Sequence, residues 1–213
     1  MGTMDPVKYP RSFHLPFSPG ATSDDKTLQN TDHFEGQNVV VTVKMDGENT
    51  TLYRDYMHAR SLTYDHHPSR SMMRAQHAAM KHLIPENMRV CGENLYARHS
   101  IEYQNLTAHF QVFSIWEIDR CLSWADTVEW AALLGLQTVP VLYQGMWDEK
   151  AIKALYKPTS EDGDTMEGYV VRLAGSFEYA HFSRSLAKFV RANHVQTDQH
   201  WKAARVVPNG LLR

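Results

Sequence analysis

Lys44-Met45-Asp46-Gly47-Glu48-Asn49 stands at the end of the apolar run Val39-Val40-Val41-Thr42-Val43. A lysine delivered by a buried strand, with an acid and a glycine close behind it, is placed to act as a nucleophile. Its amine is protonated at neutral pH, with an ordinary pKa of about 10.4, and attacks only after desolvation and neighbouring cations lower that value. A nucleotide α-phosphate is the electrophile this arrangement suits, giving a phosphoramidate and free pyrophosphate. The plainer alternative is a solvated lysine beside an Asp-Gly turn that closes a hairpin.

Other residues suited to phosphate and nucleotide chemistry follow. Arg60-Ser61 falls a strand later, and the Arg60 fork fits a phosphate. Gly92-Glu93 lies inside a predicted strand. Phe113 opens Phe113-Ser114-Ile115-Trp116-Glu117-Ile118 and offers a face for a base, worth about 1–3 kcal/mol by analogy with base–aromatic stacking. Glu167 opens Glu167-Gly168-Tyr169-Val170-Val171-Arg172 and is a candidate carboxylate for Mg²⁺ or Mn²⁺, held through water. Lys188 and Arg191 close the series. On a regular strand their spacing puts them on opposite faces unless a bulge intervenes. The bland alternatives are core aromatics for Phe113 and Trp116 and a solvated face for the carboxylates. Asp46 is either catalytic or simply shapes its turn.

Several elements must position these groups. Residues 1–38 are rich in Pro, Gly, Ser and Asp, yet Tyr9, Phe13, Leu15 and Phe17 give them something to bury, so they read as an ordered arm. A buried strand at 39–43 pairs with 49–54 across Asp46-Gly47. A helix covers 69–83 and stops at Pro85. Strands are expected at 88–95, 110–118, 137–143, 169–173 and 186–190. Ser123-Trp124-Ala125-Asp126 is a capping box that opens a helix running to about Gly135. A short helix is expected at 148–156, an acidic loop at 160–164 and a helical tail from 194 to 204. Strands outnumber helices and interleave with them, which indicates an α+β class with largely antiparallel sheets flanked by helices.

The chain has 213 residues, 43% hydrophobic and 22% charged, which suits one domain with a sizeable core. Its net charge of -2 excludes a general basic field for nucleic acid. Contacts to phosphates would need local groups such as Arg70, Arg74 and Lys81, or Arg98, Lys202 and Arg205. Cys91 and Cys121 lack CxxC spacing and read as small hydrophobes in a reduced, cytoplasmic interior. No apolar run approaches the roughly 20 residues of a membrane span. His58, His66, His67, His77 and His82 are not at zinc-site spacing. The run from His194 to His200 reads as a surface helix.

Taken together and in order, these segments resemble motifs of the covalent nucleotidyltransferases: DNA ligases, RNA ligases and mRNA capping enzymes. Lys44-Met45-Asp46-Gly47 is similar to motif I. Phe113 to Ile118 is similar to motif III, Glu167 to Arg172 to motif IV, and Ala187-Lys188-Phe189-Val190-Arg191 to motif V. The last departs from the usual pair of lysines two apart. The resemblance implies an adenylyltransferase core at 39–191 (a ligase adenylation domain, ATP-grasp-like), with an N-terminal arm at 1–38 and a short helical tail at 192–213. It implies ATP as cofactor, AMP carried covalently on Lys44, and Mg²⁺ or Mn²⁺ near Glu167. Lys44, Glu167 and Lys188 are then catalytic, and Arg60, Glu93 (on the ribose), Phe113 and Arg191 bind the nucleotide. The positive field of Lys188 and Arg191, with a carboxylate-held metal ion adding to it, is expected to lower the Lys44 pKa.

Three features narrow the resemblance to RNA ligases that seal nicked duplexes or act in RNA editing. Motif I continues with Asn49 where DNA ligases usually carry Arg. Only about twenty residues follow motif V, so no OB-fold domain is expected. The arm segments Lys8-Tyr9-Pro10-Arg11, His14-Leu15-Pro16 and Ser18-Pro19-Gly20 resemble those of bacterial and phage RNA-ligase-like proteins. The implied partner is RNA with 5′-phosphate and 3′-hydroxyl ends, in the cytoplasm of a bacterial or phage-infected cell, with RNA repair as the role. A minimal DNA ligase, a GTP-using guanylyltransferase and a non-catalytic RNA-end binder remain as alternatives.

Overall fold

The computed structural model describes residues 4–62, 66–159, 163–194 and 205–212. In chain order the elements are β1 (Phe13–His14), β2 (Asn38–Val43), β3 (Glu48–Leu52), β4 (Met57–Ala59), α1 (Ser71–Met80), β5 (Met88–Asn94), β6 (Phe110–Glu117) and β7 (Arg120–Cys121). After these come α2 (Trp124–Leu133), β8 (Gln137–Thr138), β9 (Val141–Met146), α3 (Glu149–Lys153), β10 (Gly168–Leu173), β11 (Phe177–Glu178), α4 (Phe182–Ser185) and β12 (Leu186–Val190). The expected helical tail over 195–204 and residues 160–162 of the acidic loop lie outside the described residues.

The described strands form two sheets. One runs β1-β12-β10-β2-β9. The other runs β11-β7-β6-β5-β3-β4, with β8 alongside β6. Pairing is antiparallel except β1 with β12 and β6 with β8. This is the α+β, largely antiparallel architecture that the strand-rich pattern implies.

β2 explains why its sequence is apolar without alternation. Val39 and Val41 face a cluster with Leu15, Phe34, Trp147 and Tyr169. Val40 faces the opposite way, into a cluster with Met45, Leu95, Tyr103 and Trp124. A strand covered on both faces reads as a continuous hydrophobic run. Its two edges are also taken, by β10 and β9.

That arrangement corrects two expectations. Residues 49–54 do not pair with 39–43: β3 lies in the other sheet, between β4 and β5. Both edges of β2 are occupied, and Gly47 lacks the positive φ that a type I′ hairpin needs. The stretch Lys44–Gly47 is therefore a crossover between sheets. Gly47 is required there by close approach, because a Cβ would come within 2.5 Å of the Asn94 carbonyl oxygen. Likewise 137–143 is not one strand. Pro140 separates β8, in one sheet, from β9, in the other.

α2 begins as its sequence indicates, with Ser123 Oγ accepting from the Asp126 N–H, and ends before Gly135 at φ +68°. α1 buries Met73, His77 and Met80 and has a 3-10 turn at each end. Arg70, at its N-terminus, is not a surface cation: only 3% exposed, its Nε donates to Glu48 Oε1 at 2.7 Å. Cys91 and Cys121 are buried free thiols. No helix among the described residues is long and apolar enough to cross a membrane.

Candidate active site

The crossover after β2 opens onto a cavity of ≈ 230 Å³ between the sheets. Lys44, Arg60, Glu93, Phe113 and Lys188 all line it. Lys44 is fixed by its backbone N–H, which donates to Gly168 O at 2.9 Å. That bond sets it beside the residue that precedes β10. Lys44 Nζ donates to Glu167 Oε1 at 2.6 Å, and Glu167 is 1% exposed.

Glu93 enters from β5. Its Oε1 accepts the Gly47 N–H at 3.0 Å, tying that strand to the crossover. A register shift at Cys91/Gly92 lies immediately before it, and bulges of this kind re-aim the next side chain. Phe113, on β6, meets Tyr9 edge-on with ring centres 5.1 Å apart. Arg60 Nε donates to Tyr9 O at 3.2 Å. Lys188 on β12 lies opposite Val170 of β10 and is 7% exposed. Arg191, past the end of β12, donates its backbone N–H to Glu167 O at 2.9 Å. It does not figure among the described cavity-lining residues.

Asp46 is held on three sides. Its Oδ2 accepts from Ser100 Oγ at 2.6 Å and from the Ile101 N–H at 2.8 Å. Its own N–H donates to Tyr103 Oη at 2.9 Å. Asp46, Glu167 and His194 bring ligand atoms within 4.8 Å of one another. His194 is no surface residue: its side chain is 1% exposed, with Nε2 3.3 Å from Glu167 Oε1. Glu167 Oε2 and His194 Nδ1 are buried without a hydrogen-bond partner among the described residues. Two carboxylates and an imidazole with unused lone pairs fit a divalent cation such as Mg²⁺ or Mn²⁺. Nothing in the sequence pattern marks His194, because it follows the last strand and its burial depends on tertiary contact.

Electrostatics in the cavity run against one expectation. Burial alone would lower the Lys44 pKa, but Glu167, Glu93 and Asp46 together raise it above its ordinary value. Glu167, in direct contact, leads the groups that raise it. Lys188 itself is lowered, by burial first and then by Lys44. Glu93 is pushed up to about 8, chiefly by burial, with Lys44 opposing.

A family model described as RNA ligase matches residues 37–190. No curated protein matches the chain significantly. Among solved structures, a mutant Naegleria gruberi RNA ligase with ATP and Mn is 19% identical with a TM-score of 0.56, covering 88% of this chain and 61% of that one. The Naegleria gruberi enzyme with PPi gives 0.55 at 19% identity, over 88% and 61% of the two chains. A mutant with AMP and Mn gives 0.51 at 20%, over 86% and 62%. These likenesses carry the fold. The chain spans about 61% of the length of the first of them.

Proposed function

Because the chain belongs to the RNA ligase family, we propose that it is an ATP-dependent RNA ligase working through a lysyl-AMP intermediate. The observation that carries this reading is Lys44 in the wall of the inter-sheet cavity, with Glu93, Phe113 and Lys188 lining the same space and Glu167 in contact with its Nζ.

In the first step Lys44 Nζ, having passed a proton to solvent, attacks the α-phosphorus of ATP. The bond to the bridging oxygen breaks and pyrophosphate leaves with the electron pair. Phe113 gives the adenine a face, Glu93 accepts from ribose hydroxyls, and Arg60 and Lys188 bind phosphate oxygens. Asp46, Glu167 and His194 would hold a Mg²⁺ or Mn²⁺ ion, which supplies charge neutralisation at the reacting phosphate. Glu167 also holds the Lys44 ammonium until ATP arrives. In the second step the 5′-phosphate of an RNA end attacks the lysyl-AMP phosphorus and frees Lys44. In the third, a 3′-hydroxyl attacks that 5′-phosphorus and AMP leaves. RNA repair in the cytoplasm of a bacterial or phage-infected cell is the role this cycle implies.

The test is incubation with α-labelled ATP or GTP and Mg²⁺ or Mn²⁺, followed by a denaturing gel beside Lys44→Ala. The expected result is label from ATP that the variant loses. Label from GTP alone would make the protein a guanylyltransferase. No label from either nucleotide, with protein free of bound AMP, would leave an RNA-end binder. Joining of DNA in place of RNA strands would mark a DNA ligase.

A further inference from the structure

The arm brings a cation and a carboxylate into the cavity that the motif residues do not account for. Tyr9, Pro10, Arg11, Ser12 and Asp25 are part of its wall. The arm is seated by β1, which runs parallel to β12 with His14 opposite Lys188. The Leu15 N–H donates to Lys188 O at 2.8 Å.

Asp25 is the hub. Its Oδ2 accepts the Thr22 N–H at 3.1 Å and the Thr22 hydroxyl at 3.0 Å, and His14 Nε2 lies 3.4 Å away. Its Oδ1 faces two cations, Arg11 at 3.4 Å and Lys188 at 3.8 Å. Burial opposes ionisation of Asp25, but Thr22, Lys188 and His14 together hold its pKa below the usual value. One carboxylate oxygen thus holds a guanidinium and an ammonium together at the cavity, one from the arm and one from β12. Lys188 is nearly buried. The Arg11 side chain is 49% exposed, with one contact to Asp25, which leaves much of its fork accessible to an anion. The trio carries a net positive charge even with Asp25 ionised.

We propose that Arg11 binds the β- and γ-phosphates of ATP together with Lys188, and that Asp25 is the positioning residue that keeps the two cations side by side. This rests on the ligase reading above. Arg11 then supplies the second phosphate-binding cation that the family resemblance implies at Arg191.

The three-step cycle separates this role from others, because pyrophosphate is present only in the first step. Arg11→Ala in the full chain is expected to reduce kcat/KM for lysyl-AMP formation from ATP by about 10- to 100-fold, the range of a lost charged hydrogen bond. Sealing of chemically pre-adenylylated RNA should stay within about twofold, with Arg11→Lys intermediate in the first step. Inorganic pyrophosphate should raise the melting temperature of the wild type and not of Arg11→Ala. Asp25→Asn should raise KM for ATP while kcat changes little. Labelling of Arg11→Ala at the wild-type rate would overturn the proposal, and so would equal loss in both steps. A wild type that takes no label from ATP, yet folds, removes the ligase premise and the proposal with it.

Discussion

The Lys44–Glu167 contact has an immediate kinetic consequence. The carboxylates keep Lys44 protonated above its ordinary pKa, so only a small fraction is neutral near pH 7. That fraction rises tenfold per pH unit until the pKa is reached. Single-turnover lysyl-AMP formation should therefore climb with pH from 6 to 9 at saturating ATP and Mn²⁺. A flat profile would show that nucleotide binding alone deprotonates Lys44. Glu93 gives the opposite sign in stability. Its pKa is about 8 in the folded chain and about 4.3 unfolded. Between those values the folded chain keeps a proton the unfolded chain has released, so stability falls as pH rises. A single proton is involved, so the slope stays at or below about 1.4 kcal/mol per unit. Glu93→Gln keeps an acceptor for the Gly47 N–H, and thermal melts should show it losing less stability than the wild type from pH 5 to pH 8. Glu93, Phe113 and Lys188 are legible on their strands, and Lys44 just past the end of one, because each lies inside or beside a run with strand character. His194 and Arg11 are not, since no local periodicity tells which polar residue of a coil faces a cavity.

Crossovers are what the strand pattern conceals. Val39–Val43 signals a strand, and its lack of alternation signals burial on both faces. Which strands flank it is a long-range matter, settled by β9 and β10, about a hundred and more residues away. Asp-Gly after a strand looked like hairpin chemistry, yet here it crosses between sheets. The same crossover depends on a buried ion pair. Glu48, next to Gly47 and 9% exposed, accepts from Arg70 at 3%. On a helical wheel Arg70 was a possible phosphate contact, because a periodic pattern does not show a residue folded back under its own helix. Arg70→Ala strands the Glu48 carboxylate and should destabilise the fold by about 3–5 kcal/mol. Chemical denaturation would measure this. A loss below 1 kcal/mol would mean that water reaches Glu48 and that the pair does not anchor the start of β3.

At the scale of the whole molecule, the site is braced by chain far from it in sequence. The arm closes one wall of the cavity. Residues 205–212 brace the opposite support through bridges at Ala97–Pro208 and Leu106–Leu211. Asn209, 5% exposed, is the clasp: its Oδ1 accepts the Tyr103 N–H at 3.0 Å and its Nδ2 donates to Leu95 O at 2.8 Å. Tyr103 in turn takes the Asp46 N–H, so the clasp reaches Asp46, the proposed metal ligand, through one residue. Asn209→Ala leaves a backbone donor and acceptor unpaired and should cost about 2–4 kcal/mol, or roughly 4–16 °C in melting temperature for a chain of this length. If the clasp also aligns Asp46, the variant should label more slowly even well below its melting point, with a raised requirement for Mn²⁺. A lowered melting point with an unchanged labelling rate and metal requirement would make residues 205–212 a brace for the fold alone. Asp46 would then be held sufficiently by Ser100 and Ile101.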